Sequence, residues 1–227
     1  MIRNKLFLFD IDGTLISPGN VARKLLDKII VRNFGQSPNL TYDDVAGSTD
    51  PLIVERALAK IGIEEGEISN GAKTIFDQYQ KELGPVYNNS DLPFVYDDCV
   101  HLLNRVKQAG LSYGLLSGNI KVTAKIKLDK FNLWNVFPFG VFGDDAAMRS
   151  DLPWLAREKA WDALEKSFRF EDIIIVGDTA EDAIAANKNQ TKSIVVCRKH
   201  ERRNELENSN PTILVDDLNE VDVNSII

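Results

Sequence analysis

The sequence predicts an α/β protein, a parallel sheet with crossover helices that also carries a separate helical insert. Three observations lead there. Five short apolar runs, at residues 6–9, 112–116, 173–176, 193–197 and 213–215, are each bounded by polar residues or glycine, and none alternates cleanly. Strands covered on both faces read this way. Helical patterns lie between the runs, and such alternation favours a parallel sheet joined by right-handed crossovers. From residue 15 to residue 92 no convincing strand occurs, an interval several times the dozen or so residues that one crossover needs.

The first run ends at Asp10, and the insert follows with helical stretches at 21–33, 51–61 and 64–83. Turn residues mark its borders, Ser17-Pro18-Gly19-Asn20 on one side, Gly84-Pro85 and Asn88-Asn89-Ser90-Asp91 on the other. A helix over 97–109 turns Val100, Leu103 and Val106 inward and stops at Gly110. After the run at 112–116, Pro153 opens a helix over 153–168 whose candidate inner positions are Trp154, Ala160, Trp161 and Leu164. The remaining three runs complete the sheet.

A chain of 227 residues with 44% hydrophobic and 27% charged residues can bury a sizeable core, which excludes a disordered or collagen-like protein. The 34 acidic residues exceed the 27 basic ones, for a net charge of -7. That balance offers no reason to bind nucleic acid or an anionic membrane. Cys99 and Cys197 cannot build a disulfide framework or a structural zinc site by themselves and read as buried free thiols. His101 and His200 do not form a zinc set. The apolar run before Asp10 and Asp12 is too short for a signal peptide or a membrane span, and no later segment approaches 18 apolar residues, so a cytoplasmic protein is expected.

Acids stand where strands end. Phe7-Leu8-Phe9 runs directly into Asp10, Asp12 follows, and Gly13 turns the chain. Ligands bind at the carboxyl ends of strands in open α/β sheets, and the glycine lets Asp12 reach the same crevice. Turn chemistry accounts for Asp12-Gly13 but not for an acid emerging from a buried run. The run at 173–176 leads likewise through Gly177 to Asp178, with Asp182 in the first turn of a helix opening after Thr179. Helix capping explains Thr179 and Asp182 and leaves Asp178 unexplained. Carboxylates so gathered repel unless a cation sits among them, and hard oxygen donors suit Mg²⁺. Ser117-Gly118-Asn119 brings a hydroxyl and backbone amides to another strand end, which is either an anion site or ordinary loop chemistry. Arg149, ahead of the helix at 153–168, is a phosphate partner or a salt-bridge residue.

These pieces, in this order and over almost the whole chain, resemble the haloacid dehalogenase-like hydrolase superfamily. Asp10-x-Asp12-Gly13-Thr14 matches its nucleophile motif, Ser117 its phosphate-binding serine or threonine, and Gly177-Asp178-x-x-x-Asp182 its metal motif. The resemblance implies a Rossmann-like catalytic core over 1–16 and 92–227 with a helical cap over 17–91. It implies a Mg²⁺-dependent phosphatase that hydrolyses a small phosphorylated metabolite through an aspartyl-phosphate. Asp10 is then the nucleophile and Asp12 the acid and base. Ser117, Gly118, Asn119 and Arg149 bind the phosphate, and Asp10, Asp12 (through its backbone carbonyl), Asp178 and Asp182 serve the metal. Members with this layout usually carry lysine where Arg149 falls; Lys125 and Lys127 are rivals for the role, but read as a solvated helix face. Gly47-Ser48-Thr49-Asp50 reads as a cap loop or as a helix N-cap before Pro51. A haloacid dehalogenase lacks an acid at the position of Asp12. A sugar-phosphate mutase keeps both acids, though Thr14 leans towards hydrolysis. A phosphonate hydrolase needs a cap lysine, for which Lys24, Lys28 or Lys60 could serve. A non-catalytic binding module needs none of the four acids.

Overall fold

The computed structural model describes residues 4–226. Its elements are β1 (Leu6–Phe9), β2 (Ile16–Ser17), α1 (Val21–Phe34), α2 (Tyr42–Val45), α3 (Asp50–Lys60), α4 (Glu65–Asn88), β3 (Phe94–Val95), α5 (Asp97–Gln108) and β4 (Ser112–Leu116). The chain continues through α6 (Lys121–Asp129), β5 (Gly140–Val141), α7 (Leu152–Leu164), β6 (Ile173–Gly177), α8 (Ala180–Lys188), β7 (Lys192–Val196), α9 (Arg203–Asn208), β8 (Ile213–Val215) and α10 (Val223–Ile226). Six strands form one sheet in the order β5-β4-β1-β6-β7-β8, every pair parallel. The ends of the expected core, residues 1–3 and 227, lie outside the described residues.

Both faces of the sheet are covered, which is why its strands are apolar without alternation. Leu6 and Leu8 pack with Ile173, Ile175 and the Ala156 and Ala160 face of α7. Phe7 and Phe9 point the other way and join Ile174, Val176, Leu102, Val106 and Leu128. Burying such side chains contributes roughly 1.5–3 kcal/mol each. Phe9 is in register with Leu115 on one side and Val176 on the other, so β1, β4 and β6 end level. The loops that follow these three strands therefore open onto one crevice.

Between β2 and β3 lie only helices. Leu25, Leu26, Ile29 and Ile30 of α1, Val54 and Leu58 of α3, and Ile75 and Leu83 of α4 are all buried in one cluster. The antiparallel pair of β2 and β3, Ile16 against Val95 and Ser17 against Phe94, brings both ends of this segment to one place.

Two expectations are corrected. Gly84-Pro85 does not turn the chain, because α4 runs on to Asn88 with Pro85 inside it. Proline removes one helical hydrogen bond there, but Leu83 and Tyr87 on either side are fully buried. Lys130 then holds the helix end, donating to the carbonyls of Tyr87, Asn88 and Ser90. On α7, Trp154 and Trp161 are 50% and 58% exposed rather than inner. Leu152, Ala156 and Ala160, four residues apart, form the buried stripe, because small side chains let this helix lie close on the sheet. No helix of the described residues is long and apolar enough to cross a membrane.

Candidate active site

Asp10 leaves β1 with its backbone N–H donating to the Val176 carbonyl at 2.9 Å, and the residue is 4% exposed. Gly13 adopts φ 88°, and a Cβ there would lie 2.1 Å from the Asp178 carboxylate, so only glycine lets this turn and Asp178 approach each other. Thr14 donates its hydroxyl to Asp178 at 3.2 Å. The turn is fastened from β7: Arg198 donates to the carbonyls of Gly13 and Thr14 and forks onto Asp98.

Asp178 and Asp182 follow β6. The capping of α8 is present as expected, with Asp182 accepting from the Thr179 amide and hydroxyl through one oxygen. Its other oxygen meets the Arg149 guanidinium, which also stands 3.1 Å from Asp10 as an ion pair not aligned as a hydrogen bond. Arg149 sits in the short turn before α7 and is 6% exposed. Asp182 therefore caps α8 through one oxygen and pairs with Arg149 through the other.

Ser117, at the end of β4, is fully buried, and its hydroxyl accepts from the Asn119 side-chain amide at 3.0 Å. That amide also donates to Asp12 at 3.0 Å. The reading of Lys127 as solvated is overturned. It is 3% exposed, and its ammonium contacts both Asp12 and the Asn119 side-chain oxygen. Thr123, Ala124, Lys127 and Leu128 are the buried positions of α6, and the spacing from Ala124 and Leu128 was the signal that places Lys127 inward. Lys125 lies on the outer face and pairs with Asp129.

In the segment 47–50 the structure shows the helix N-cap. Thr49 is the N-cap of α3, accepting from the Leu52 amide. Asp50 reaches across to the start of α6, accepting from the Ile120 amide and the Thr123 hydroxyl, while its own N–H donates to the Gly118 carbonyl. A cavity of about 320 Å³ lies between the strand-end loops and the insert, lined on the insert side by Arg23, Tyr42, Ser48, Asp50 and Tyr79 among others. Of these, sequence reasoning did not single out Arg23, Tyr42 or Tyr79, nor Arg198 and Asp98 behind the turn.

The charges are unevenly matched. One oxygen from each of Asp10, Asp178 and Asp182 falls within 4.8 Å of the others. Burial pushes the Asp10 carboxyl up to about 6 against the pull of Arg149, and Asp182 adds to the rise. Burial, then the charges of Asp10 and Asp182, holds Asp178 well above the usual carboxylate range. Burial works against the Arg149 charge, but Asp10 and Asp182 outweigh it and raise the guanidinium above its ordinary value. One oxygen of Asp10 and one of Asp12 are buried without a hydrogen-bond donor. Three acids facing one arginine, all oxygen donors and close enough to share one ion, fit a hard divalent cation.

A family model described as haloacid dehalogenase-like hydrolase matches residues 4–189. A phosphoglycolate phosphatase from Agrobacterium fabrum is 27% identical over 199 residues, spanning 84% of this chain and 79% of its own. Among solved structures, one from Clostridium acetobutylicum described as "a predicted phosphatase" has a TM-score of 0.74 at 22% identity, covering 96% of this chain and 95% of that one. CbbY from Rhodobacter sphaeroides in complex with phosphate has a TM-score of 0.72 at 16% identity, covering 96% of each chain.

Proposed function

The chain belongs to the haloacid dehalogenase-like hydrolases, and from that premise we propose that it is a phosphatase acting on a small phosphate monoester through Asp10. The observation that carries the reading is the division of labour between two acids two residues apart. Asp10 lies against Arg149 and the acids after β6, whereas Asp12 lies against Lys127 and Asn119. A nucleophile and a proton carrier need such different surroundings.

In this reading an Asp10 oxygen attacks phosphorus and the bond to the leaving oxygen breaks, with Asp12 giving that oxygen its proton. Water then attacks the aspartyl-phosphate, Asp12 takes the water proton, and the bond to Asp10 breaks to release phosphate. Ser117, the Gly118 amide, Asn119 and Arg149 receive the phosphoryl oxygens, where charge spreads in the transition state. Asp10, the Asp12 carbonyl and Asp178 would hold Mg²⁺, with Asp182 behind them. When bound, the cation neutralises the repulsion between nucleophile and phosphate. Residues 17–91 act as a cap that shields the site and meets the leaving group. Two buried free thiols, Cys99 and Cys197, suit a reducing cytoplasm.

The test is release of inorganic phosphate from p-nitrophenyl phosphate with Mg²⁺, which also separates hydrolysis from transfer within a sugar phosphate. Wild type should turn over, chelator should stop it, and Asp10→Asn should abolish it. A mutant keeping more than about a tenth of the rate, roughly 1.4 kcal/mol of barrier, would sink the mechanism.

A further inference from the structure

We propose that Arg198 is a positioning residue for the acid Asp12, acting through the backbone of the turn that carries it. The inference rests on the phosphatase reading and adds to it a residue after β7, beyond the stretch 4–189 that the family model matches. The turn has a weak point. Gly13 follows Asp12 at φ 88°, a conformation that glycine takes freely and also leaves freely. The amides inside the turn are satisfied there: those of Thr14, Leu15 and Ile16 donate to the Ile11 carbonyl, and that of Gly13 donates to the Ile16 carbonyl. The carbonyls of Gly13 and Thr14 are held from outside, by Arg198 Nε at 3.1 Å and one Arg198 Nη at 3.3 Å. Lys127 and Asn119 fix the Asp12 carboxylate, but only while the backbone beneath it keeps its place.

Arg198 can anchor the turn because it is itself anchored. Its two Nη atoms fork onto Asp98 at 2.8 and 2.9 Å, and its guanidinium carbon lies 3.9 Å from the centre of the Tyr96 ring. A planar fork stacked on an aromatic face is preorganised in a way that an ammonium is not. Asp98 also accepts from the amides of Cys99 and Leu218, so each of its oxygens takes two bonds. Tyr96 donates its amide to the Leu15 carbonyl, the next one along the turn. The carbonyls of residues 13, 14 and 15 are thus held by one unit, built from the start of α5 and the loop after β7.

Stability alone does not account for this pair. The side chains of Arg198 and Asp98 are 15% and 9% exposed, and apolar residues often replace a buried pair with no loss of stability. An apolar pair would leave the Gly13 and Thr14 carbonyls without their donor, and the glycine free to move Asp12.

The leaving group supplies the test. The nitro group stabilises a departing nitrophenolate, which leaves with little help from an acid, whereas phenolate needs the proton that Asp12 gives. The value of kcat/KM is therefore measured with Mg²⁺ for p-nitrophenyl phosphate and for phenyl phosphate. Arg198→Lys keeps a charge opposite Asp98 but loses the fork. It should lower kcat/KM for phenyl phosphate roughly tenfold more than for p-nitrophenyl phosphate. Asp98→Asn combined with Arg198→Met leaves no buried charge unmatched and should show the same bias, which keeps the test open if the lysine variant does not fold. Equal falls for the two esters, including loss of both, are what a phosphate-binding or merely stabilising residue gives, and they overturn the inference while sparing the phosphatase reading. Unchanged rates for both esters do the same. No turnover of either ester by wild type overturns both.

Discussion

The buried Lys127 forms an ion pair with the half-buried Asp12, and the same ammonium rests on the side-chain oxygen of Asn119. Arg149 makes the corresponding contact with Asp10 and Asp182. Each acid of the nucleophile motif thus has its own cation. The two cations are not alternatives for one place, because Lys127 comes from α6 and Arg149 from the turn before α7, and they meet different carboxylates.

Lys127→Ala should therefore lower kcat/KM by roughly 10², the scale of losing one preorganised electrostatic partner. Arg149→Ala should fall by at least as much, with Arg149→Lys recovering part of it as a point charge. Lys125→Ala, on a residue whose side chain is 52% exposed and pairs within its own helix, should change the rate less than about twofold. Breaking a buried pair can cost about 3–5 kcal/mol, so each variant is scored only where its thermal transition shows it folded at the assay temperature. A normal rate for folded Lys127→Ala would remove that residue from the machinery.

The strands were legible because five buried runs had no competing helical pattern, and the acids because they stand directly after those runs. The strands β2, β3 and β5 were not, since two residues each are too few to show a period. Trp154 and Trp161 read as inner by size, but Ala156 and Ala160 are what let the helix approach the sheet. Lys127 reads as solvated on residue type, although its spacing, four residues after Thr123 and three after Ala124, puts it on the buried face of α6. Arg23 and Tyr79 carry no local signal; only the packing of the insert over the strand ends brings them to the cavity.

The contact between the insert and the β4 loop is tight enough to probe with one methyl group. A Cβ on Gly118 would lie 2.1 Å from the Ser48 carbonyl oxygen, a rigid backbone atom. Gly118→Ala must push the 47–50 segment away and disturb the bond from the Asp50 amide to the Gly118 carbonyl. Its KM for p-nitrophenyl phosphate should rise by roughly tenfold, or about 1.4 kcal/mol of lost binding. Gly84→Ala is the control: apart from its chain neighbours and its own helix backbone, nothing lies within 4 Å of its added Cβ, and it sits inside α4. That change should leave KM unaltered, since Gly84 does not line the cavity. An unchanged KM for Gly118→Ala would mean that the segment does not help to hold substrate.

The acids of the site should destabilise the protein when no cation is present, and the sign of this effect follows from Asp10. Burial raises its carboxyl to about 6 from an ordinary 3.8. A raised folded-state value means that the folded protein holds the proton more tightly than the unfolded chain does. This contribution to stability is present below about pH 4 and is lost as the pH rises through about 6. Above that, the buried carboxylate is ionised at a cost of about 3 kcal/mol. Asp178 is shifted the same way, by burial and by its acidic neighbours. In chelator at pH 7.5, Asp10→Asn should therefore unfold at a higher urea concentration than wild type, with Arg149 keeping Asp182 as a partner. The gap should close as the pH falls to about 4, where wild type is protonated too. Mg²⁺ should reverse the order at pH 7.5, since it binds the folded wild type and finds one carboxylate fewer in the variant. Parallel stability profiles for the two proteins across this pH range would mean that the Asp10 charge is already compensated without a cation.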